Sequence, residues 1–195
     1  MQPLFLTVGL IVYHSDIYYP RLVEREFTPV FVGTPTPKRE KVLRQLDRLL
    51  RKKGISLETY ASVQHDYAYL IAKKFLALNI PRMGEVNWRD FEVLGVGAVL
   101  LREDSKEIRE FFEPGKHLVT YSTVEDLAEK ILWLVEDREA GYRIASQRCI
   151  ESWRKHTLED RICKIVRDLG YKCSYPNSMK QEMINRCKDI RSITT

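Results

Sequence analysis

The sequence lacks any long apolar run. Its longest apolar stretch, residues 3–12, is well short of the roughly 20 residues that a membrane-crossing helix needs. No basic cluster precedes this stretch, as a secretory signal would require, and we interpret it as a buried strand or an interdomain segment. The composition, 44% hydrophobic and 30% charged, excludes a disordered or collagen-like chain. We therefore expect a soluble, cytoplasmic domain, with peripheral membrane contact left open.

Cysteine and histidine are scarce, and neither is spaced for metal chemistry. The histidines His65, His117 and His156 have no metal-like spacing, and no serine sits in a nucleophile elbow. No metal or other cofactor is therefore expected. Four cysteines lie in the last quarter of the chain, without the closely spaced pair of a zinc site: Cys149, Cys163, Cys173 and Cys187. Small, buried, reduced core residues on helices are the favoured interpretation, and disulfides remain open because some hyperthermophiles form them inside the cell.

The net charge of +5 and the pI near 9.0 suit an anionic partner. Nucleic acid, nucleotide phosphates and an acidic membrane surface fit this excess equally well. Part of it forms a basic stripe on one predicted helix: Lys41, Arg44, Arg48 and Arg51. A solvated helix face is the default for such a stripe, and a nucleic-acid or membrane-surface binding protein stays open as an alternative function.

Short apolar runs alternate with amphipathic segments along the chain. We predict strands at residues 29–33, 55–59, 76–80, 98–101 and 117–121, because these runs are apolar and closed by glycine, proline or polar residues. Leucines and other apolar residues at helical spacing predict helices at 39–53, 63–75, 88–95, 108–112, 123–137, 139–153 and 157–169. A further helix is expected near Met183 and Cys187. Uniformly apolar strands that alternate with helices predict an α/β fold, a Rossmann-like doubly wound parallel sheet with a helical C-terminal extension.

The most promising site follows the predicted strand 76–80. In doubly wound sheets, ligands bind at the carboxyl ends of the strands. The following polar and charged side chains crowd this position: Arg82, Glu85, Asn87, Arg89, Asp90 and Glu92. Carboxylates accept hydrogen bonds from ribose or sugar hydroxyls, and arginines neutralise a diphosphate. A charged, exposed helix start explains the same residues equally well from spacing alone.

The loop after the first predicted strand begins at Gly33 and Thr34 and is poor in glycine. It matches neither the dinucleotide fingerprint nor the P-loop, which disfavours a Rossmann oxidoreductase and an NTPase. Lys38 and Arg39 could reach a phosphate from this loop, although a solvated basic helix start is the favoured interpretation.

Several separate motifs carry a family resemblance. They are Asn79-Ile80-Pro81-Arg82, then Arg89-Asp90-Phe91-Glu92-Val93-Leu94-Gly95-Val96-Gly97-Ala98, then Phe112-Glu113-Pro114-Gly115-Lys116-His117, and finally Lys155-His156-Thr157 with Arg161. Over about residues 29–171 the sequence resembles the C-terminal domain of the glycosyltransferases grouped with the spore-maturation glycosyltransferases (glycosyl transferases group 1). The resemblance implies a GT-B type enzyme, in which a C-terminal Rossmann-like domain binds the nucleotide-sugar and an N-terminal domain binds the acceptor.

The resemblance also implies roles for individual residues. Glu92 matches the glutamate that binds the nucleotide ribose in this group, and Arg82 and Arg89 would contact the diphosphate. The glutamate near the transferred sugar should stand at Gly84, one position before Glu85. Gly115 and Lys116 would line the opposite wall, and Asn87, Gly33 and Thr34 complete the expected donor site. No catalytic residue is named, because acceptor recognition and often the catalytic base come from the N-terminal domain in this family.

The function expected from the resemblance is transfer of a sugar from a nucleoside-diphosphate sugar to an acceptor. Residues 1–28 read as a linker or interface segment, 29–171 as the nucleotide-sugar-binding domain and 172–195 as a tail. Since only about 28 residues precede the domain, we expect a separately encoded acceptor domain, a homodimer contact or a small acceptor site in residues 1–28. Polar and aromatic candidates there are Tyr13, His14, Asp16, Tyr18 and Tyr19. A non-catalytic nucleotide- or sugar-binding module remains the alternative, and nucleic acid is disfavoured as a partner.

Overall fold

The computed structural model describes residues 14–62, 66–174 and 177–191. Its strands are β1 (Thr28–Val32), β2 (Glu58–Tyr60), β3 (Phe75–Asn79), β4 (Val99–Glu103) and β5 (Val119–Tyr121). Its helices are α1 (Pro37–Arg51), α2 (Tyr67–Lys74), α3 (Trp88–Gly95), α4 (Lys106–Arg109), α5 (Val124–Glu136), α6 (Arg138–Lys155), α7 (Leu158–Asp168) and α8 (Ser178–Lys188). The predictions about residues 3–12, Tyr13, His65 and the start of the second helix at residue 63 lie outside the described residues.

The five strands form one parallel sheet in the order β2-β1-β3-β4-β5. From β1 the chain first adds β2 on one side, and it then crosses over to add β3, β4 and β5 on the other side. The direction in which strands are added therefore reverses between β1 and β3. All side chains of β3 are buried, as expected for a strand with helices on both faces. The predicted α/β, Rossmann-like doubly wound fold is confirmed, and the crevice for a ligand lies at the carboxyl ends of β1 and β3.

Helix α1 shows how local sequence sets an element boundary. It begins two residues before the predicted position, because the Thr36 side chain caps the helix by accepting from the Arg39 backbone N–H and Pro37 occupies the first turn. Leu46 and Leu50 are fully buried, and the helix packs beside α5. The carboxyl end of β1, which directly precedes this helix, is thereby fixed in position.

Residues 14–27, which we call the N-terminal strap, lie along the domain surface and are tied to it. The Ser15 hydroxyl donates to the Glu159 carboxylate on α7 at 2.8 Å. The Arg25 guanidinium is buried and donates to the Ala72 carbonyl on α2. The strap is thus held on both sides of its midpoint.

The cysteines are paired, which corrects the expectation of reduced thiols on helices. One disulfide, Cys149–Cys187, joins α6 to α8 over a sequence separation of 38. The other, Cys163–Cys173, joins α7 to the segment that follows it. Spacing along the chain did not reveal these pairs, because they form only when α7 and α8 fold back. The C-terminal helix is therefore attached to the domain covalently as well as by packing.

Candidate functional site

A cavity of about 570 Å³ opens at the carboxyl ends of β1 and β3. The structure brings these sequence-predicted residues together in its lining: Gly33, Thr34, Arg82, Glu85, Asn87, Arg89 and Glu92. The remaining lining residues are Tyr18, Val32, Arg39, Ala61, Ser62, Tyr67 and Trp88. The volume lies within the range of about 300–1,000 Å³ that is common for small-molecule sites.

A buried polar cluster beneath the cavity holds its floor. The Asp90 carboxylate accepts from the Asn79 side-chain amide at 2.7 Å, from the Asn87 backbone N–H at 3.0 Å and from Arg102 Nη1 at 3.2 Å. Asp90 and Arg102 both have side chains with no exposed surface. Burial raises the pKa of Asp90, while Arg102 opposes that change. Because an ion pair without solvent is costly to break, this cluster fixes the start of α3 firmly.

The same arginine fixes the loop above the cluster. Arg102 Nη2 donates to the backbone carbonyls of Gly84 at 3.0 Å and Glu85 at 3.3 Å. These carbonyls belong to the 82–87 loop that the sequence identified as the richest in charge. The 82–87 loop is therefore fixed to β4 through these two carbonyls.

Helix α3 begins at a capping box. The Asn87 side chain accepts from the Arg89 backbone N–H at 3.1 Å. The Asp90 side chain in turn accepts a hydrogen bond from the Asn87 backbone N–H. Asn87 lines the cavity, but its amide oxygen also accepts from the Asn79 side chain at 3.1 Å. The structure therefore gives Asn87 a local role that is independent of any ligand.

Three arginines converge on the cavity: Arg39, Arg82 and Arg89. Arg39 was expected to be a solvated helix start, and the structure corrects this: the residue is 8% exposed and donates to the Ile80 carbonyl at 2.9 Å and the Thr34 carbonyl at 3.0 Å. Burial lowers its pKa, and the nearby guanidinium groups of Arg89 and Arg82 lower it further. Mutual repulsion of these cations makes the cavity a favourable place for an anion.

Lys38 does not share this position. Its ammonium group pairs with the Glu103 carboxylate at 2.7 Å on the protein surface. Lys38 is therefore engaged with β4 and is absent from the cavity lining.

Glu92 and Glu85 differ in their surroundings. Burial raises the pKa of Glu92, and interactions with the Tyr18 hydroxyl and with Arg89 only partly offset this. Burial also acts to raise the pKa of Glu85, but the backbone N–H groups of Met83 and Arg82 outweigh it, so the pKa falls below its ordinary value. The Met83 N–H donates to Glu85 Oε2 at 2.7 Å. Glu85 is thus an ionised residue that closes its own loop, and Glu92 is the carboxylate buried deeper in the cavity wall.

Two tyrosines complete the wall around Glu92. The Tyr67 hydroxyl accepts from Arg89 Nε at 2.8 Å, and the Tyr18 ring packs edge-on against Tyr67 with centroids 6.2 Å apart. Tyr67 lies within the predicted helix 63–75, which carried no functional prediction, and Tyr18 was predicted only as an acceptor-site candidate. Trp88, which is 57% exposed at the rim, carried no signal beyond being the first residue of a predicted helix.

The structure does not bring Gly115 and Lys116 to this cavity. They lie in an exposed turn before β5, where the Gly115 N–H donates to the Leu118 carbonyl at 2.8 Å and Lys116 pairs with Glu113 at 3.0 Å. Gly115 has a φ of 81°, a left-handed conformation that glycine adopts readily. Gly115 and Lys116 therefore lie outside the cavity lining, and a role for them in donor binding stays a prediction.

The motif at residues 155–157 also lies away from the cavity. His156 is buried and packs against the rings of Phe91, Phe111 and Phe112. Burial, assisted by the Arg161 guanidinium, lowers its pKa to about 4. His156 is therefore neutral at physiological pH and supports α3 from behind.

Two further findings concern the described residues. No group of three or more His, Cys, Asp and Glu side chains there is arranged to hold a metal ion. None of the helices in that part of the chain is both long and apolar enough to cross a membrane.

The sequence matches a protein family described as glycosyl transferase-like over residues 38–167. This match covers more than half of the chain, and the protein therefore belongs to that family. The resemblance to the C-terminal domain of GT-B glycosyltransferases is confirmed by the match and by solved structures of the same fold. No curated protein matches the sequence.

Three solved structures illustrate the similarity. TarM has a TM-score of 0.58 and 16% identity, over 77% of this chain and 36% of its own. Anabaena HepE, solved in complex with UDP-glucose, has a TM-score of 0.56 and 18% identity, over 87% of this chain and 46% of its own. The C-terminal domain of the group 1 glycosyl transferase LpcC from Francisella tularensis has a TM-score of 0.52 and 11% identity, over 74% of this chain and 98% of its own. At these identities the likeness establishes the fold, and this chain spans less than half the length of TarM and HepE.

Proposed function

We propose that the cavity binds the nucleoside-diphosphate sugar donor of a glycosyl transfer reaction. The observation that carries this proposal is the meeting of three guanidinium groups and a half-buried carboxylate, Glu92, in one cavity at the point where the strand order reverses. Cations and a deep carboxylate are complementary to the two polar parts of such a donor, the diphosphate and the ribose. Membership of the glycosyl transferase-like family supports this choice over other nucleotides.

The diphosphate is assigned to the arginine side of the cavity. Arg82 and Arg89 are proposed to contact its oxygens, because arginine forms strong, bidentate hydrogen bonds with phosphate. Arg39 contributes charge from beneath, since its Nε and Nη1 already donate to backbone carbonyls. Gly33 and Thr34 follow β1 and would pass close to the phosphates.

The ribose and the transferred sugar are assigned to opposite sides of the diphosphate. Glu92 is proposed to accept hydrogen bonds from the ribose hydroxyls. Glu85 would lie nearer the sugar, where its ionised carboxylate could accept from a sugar hydroxyl while it keeps the N–H of Met83. Crystal structures of HepE with UDP and with UDP-glucose support a uridine donor as the first to try.

Catalysis requires an acceptor site that we propose lies outside the described residues. Because the chain spans 36% of TarM and 46% of HepE, a further domain, a separate protein or a second copy of this chain would supply it. We propose no divalent metal, since the arginines already offset the phosphate charge. A donor affinity that depends strictly on magnesium or manganese would contradict this part.

The basic stripe offers a second anionic binding surface, but its contacts weaken that reading. Within α1, Arg51 pairs with Asp47 at 2.7 Å and Arg44 approaches Glu40 at 3.9 Å. Half of the stripe is thus engaged with neighbouring carboxylates on the same helix. A solvated helix face explains these residues, and the donor cavity remains the better-supported site.

Calorimetric titration with a panel of nucleoside diphosphates and their sugars tests the proposal. The wild-type chain is compared with Glu92→Gln and with Glu129→Gln, a control in which an exposed carboxylate on α5 loses its charge. The expected result is saturable binding of one nucleotide type that is weakened in Glu92→Gln and unchanged in Glu129→Gln. Equal binding by all three proteins, or no binding by any, would overturn the assignment of the cavity.

A further inference from the structure

The N-terminal strap contributes one side chain to the donor cavity. Tyr18 lies between the two anchors of the strap, Ser15 and Arg25, and it lines the cavity beside Glu92. Contacts on both sides of Tyr18 make it a fixed part of the wall. No motif in the sequence connects it to Glu92, which is 74 residues away along the chain.

The groups that face Glu92 come from three elements. Tyr18 comes from the strap, Tyr67 from α2 and Arg89 from α3. Arg89 Nε already donates to the Tyr67 hydroxyl at 2.8 Å. Tyr18 and Glu92 line the same cavity, and the Tyr18 ring packs edge-on against Tyr67 with centroids 6.2 Å apart. The Tyr18 hydroxyl is therefore a neutral donor beside the Glu92 carboxylate.

The surroundings act on the Glu92 carboxylate in opposite directions, and burial is the larger effect. Burial raises the pKa of Glu92, and the interactions with Tyr18 and Arg89 lower it. Burial and the nearby Glu92 charge raise the pKa of Tyr18, so its hydroxyl keeps its proton throughout the neutral range. Tyr18 can therefore donate a hydrogen bond to the ionised form of Glu92 throughout the neutral range.

We propose that Tyr18 is a positioning residue for Glu92: its hydroxyl engages one oxygen of the carboxylate and directs the other into the cavity. This contact keeps Glu92 available as a hydrogen-bond acceptor. The statement that the acceptor then serves a ribose hydroxyl rests on the proposed function, whereas the contact itself does not. The strap thereby becomes a part of the binding site rather than a connection to it.

Tyr18→Phe removes the hydroxyl and keeps the ring that packs against Tyr67. The loss of the hydrogen bond should raise the pKa of Glu92. Because the ionised carboxylate is the stronger acceptor, donor affinity should fall by about tenfold, the lower end of the effect of one hydrogen bond to a charged group. The fall should be larger at acidic pH, where more of the mutant's Glu92 is protonated, than at alkaline pH.

Two measurements distinguish the contact between Tyr18 and Glu92 from its effect on donor binding. The first is an NMR titration of the ¹³C-labelled Glu92 carboxyl in the free protein, for wild type, Tyr18→Phe and the control Tyr69→Phe, an exposed tyrosine of α2 that does not line the cavity. The second is calorimetric titration of the same proteins with UDP and UDP-glucose at acidic and alkaline pH. Thermal melting of each variant confirms that it is folded.

The inference expects the Glu92 midpoint to rise in Tyr18→Phe alone and donor binding to weaken most at acidic pH. An unchanged midpoint would overturn it, because the Tyr18 hydroxyl would then have no effect on the ionisation of Glu92. Tighter donor binding in Tyr18→Phe would also overturn it, because Tyr18 would then compete with the ligand. The Glu92 midpoint could rise in Tyr18→Phe while none of the three proteins binds a donor. That result would support the positioning role and refute the proposed function instead.

Discussion

The buried ion pair beneath the cavity makes a sharp prediction about stability. Arg102→Met keeps most of the side-chain volume on β4 but removes the cation that faces Asp90, where both side chains are fully buried and the atoms are 3.2 Å apart. Removing one member of a buried pair leaves an uncompensated charge and costs about 3–5 kcal/mol. Loss of the donors to the Gly84 and Glu85 carbonyls adds to that cost.

Urea unfolding of wild type and variant measures this cost. The matched control is Lys38→Met, which breaks the exposed pair with Glu103 at 2.7 Å and should cost at most about 1 kcal/mol. If Arg102→Met lowers the free energy of unfolding no more than Lys38→Met does, the buried cluster does not support the cavity floor and the reasoning is refuted. A double variant, Asp90→Asn with Arg102→Met, should recover part of the loss, because the orphaned charge is then removed as well.

Three further predictions concern other parts of the domain. Replacing Cys149 and Cys187 by alanine should lower the free energy of unfolding by about 4 kcal/mol on the chain-entropy estimate for a separation of 38; a loss below 1 kcal/mol in chemical denaturation would argue against this disulfide. Gly97→Ala should cost about 1–2 kcal/mol, since φ is 72° and the new Cβ would lie 2.6 Å from Ile190 Cδ1, and an unchanged melting temperature would contradict this. Glu92→Gln should stabilise the free protein at neutral pH, because burial raises the folded pKa of Glu92 and the folded state gains most from the neutral form. That gain should vanish below the pKa of an unfolded glutamate, where both proteins are neutral, and urea titrations across pH would reveal a constant difference if the reasoning fails.

The fold was predictable from local patterns in the sequence. The apolar run at residues 76–80 predicted β3, and the spacing of Leu46 and Leu50 predicted the buried face of α1. These patterns reflect burial on one or both faces of a helix or strand. Such burial shows in the spacing of apolar residues within that segment alone. The family motifs added the place of Glu92 within that fold.

Contacts between distant segments could not be predicted in the same way. Arg39 looked like a surface residue because its neighbours are charged, and only the fold shows the Ile80 and Thr34 carbonyls that bury it. Tyr18 reaches the site through the path of the strap. The strap forms no helix or strand, so no regular spacing of apolar residues indicates which of its side chains point inward. Each of these residues depends on the tertiary position of its partners rather than on its own neighbours.

The most direct test of the donor-site proposal is to map where a nucleoside diphosphate binds. Backbone amide shifts of the isotope-labelled chain are followed by NMR during titration with UDP and UDP-glucose. The account predicts saturable shifts at Gly33, Thr34, Ser62, Arg82 and Glu92, around the carboxyl ends of β1 and β3. Shifts confined to the outer face of α1, or none at saturating nucleotide, would contradict the claim that this cavity holds the donor.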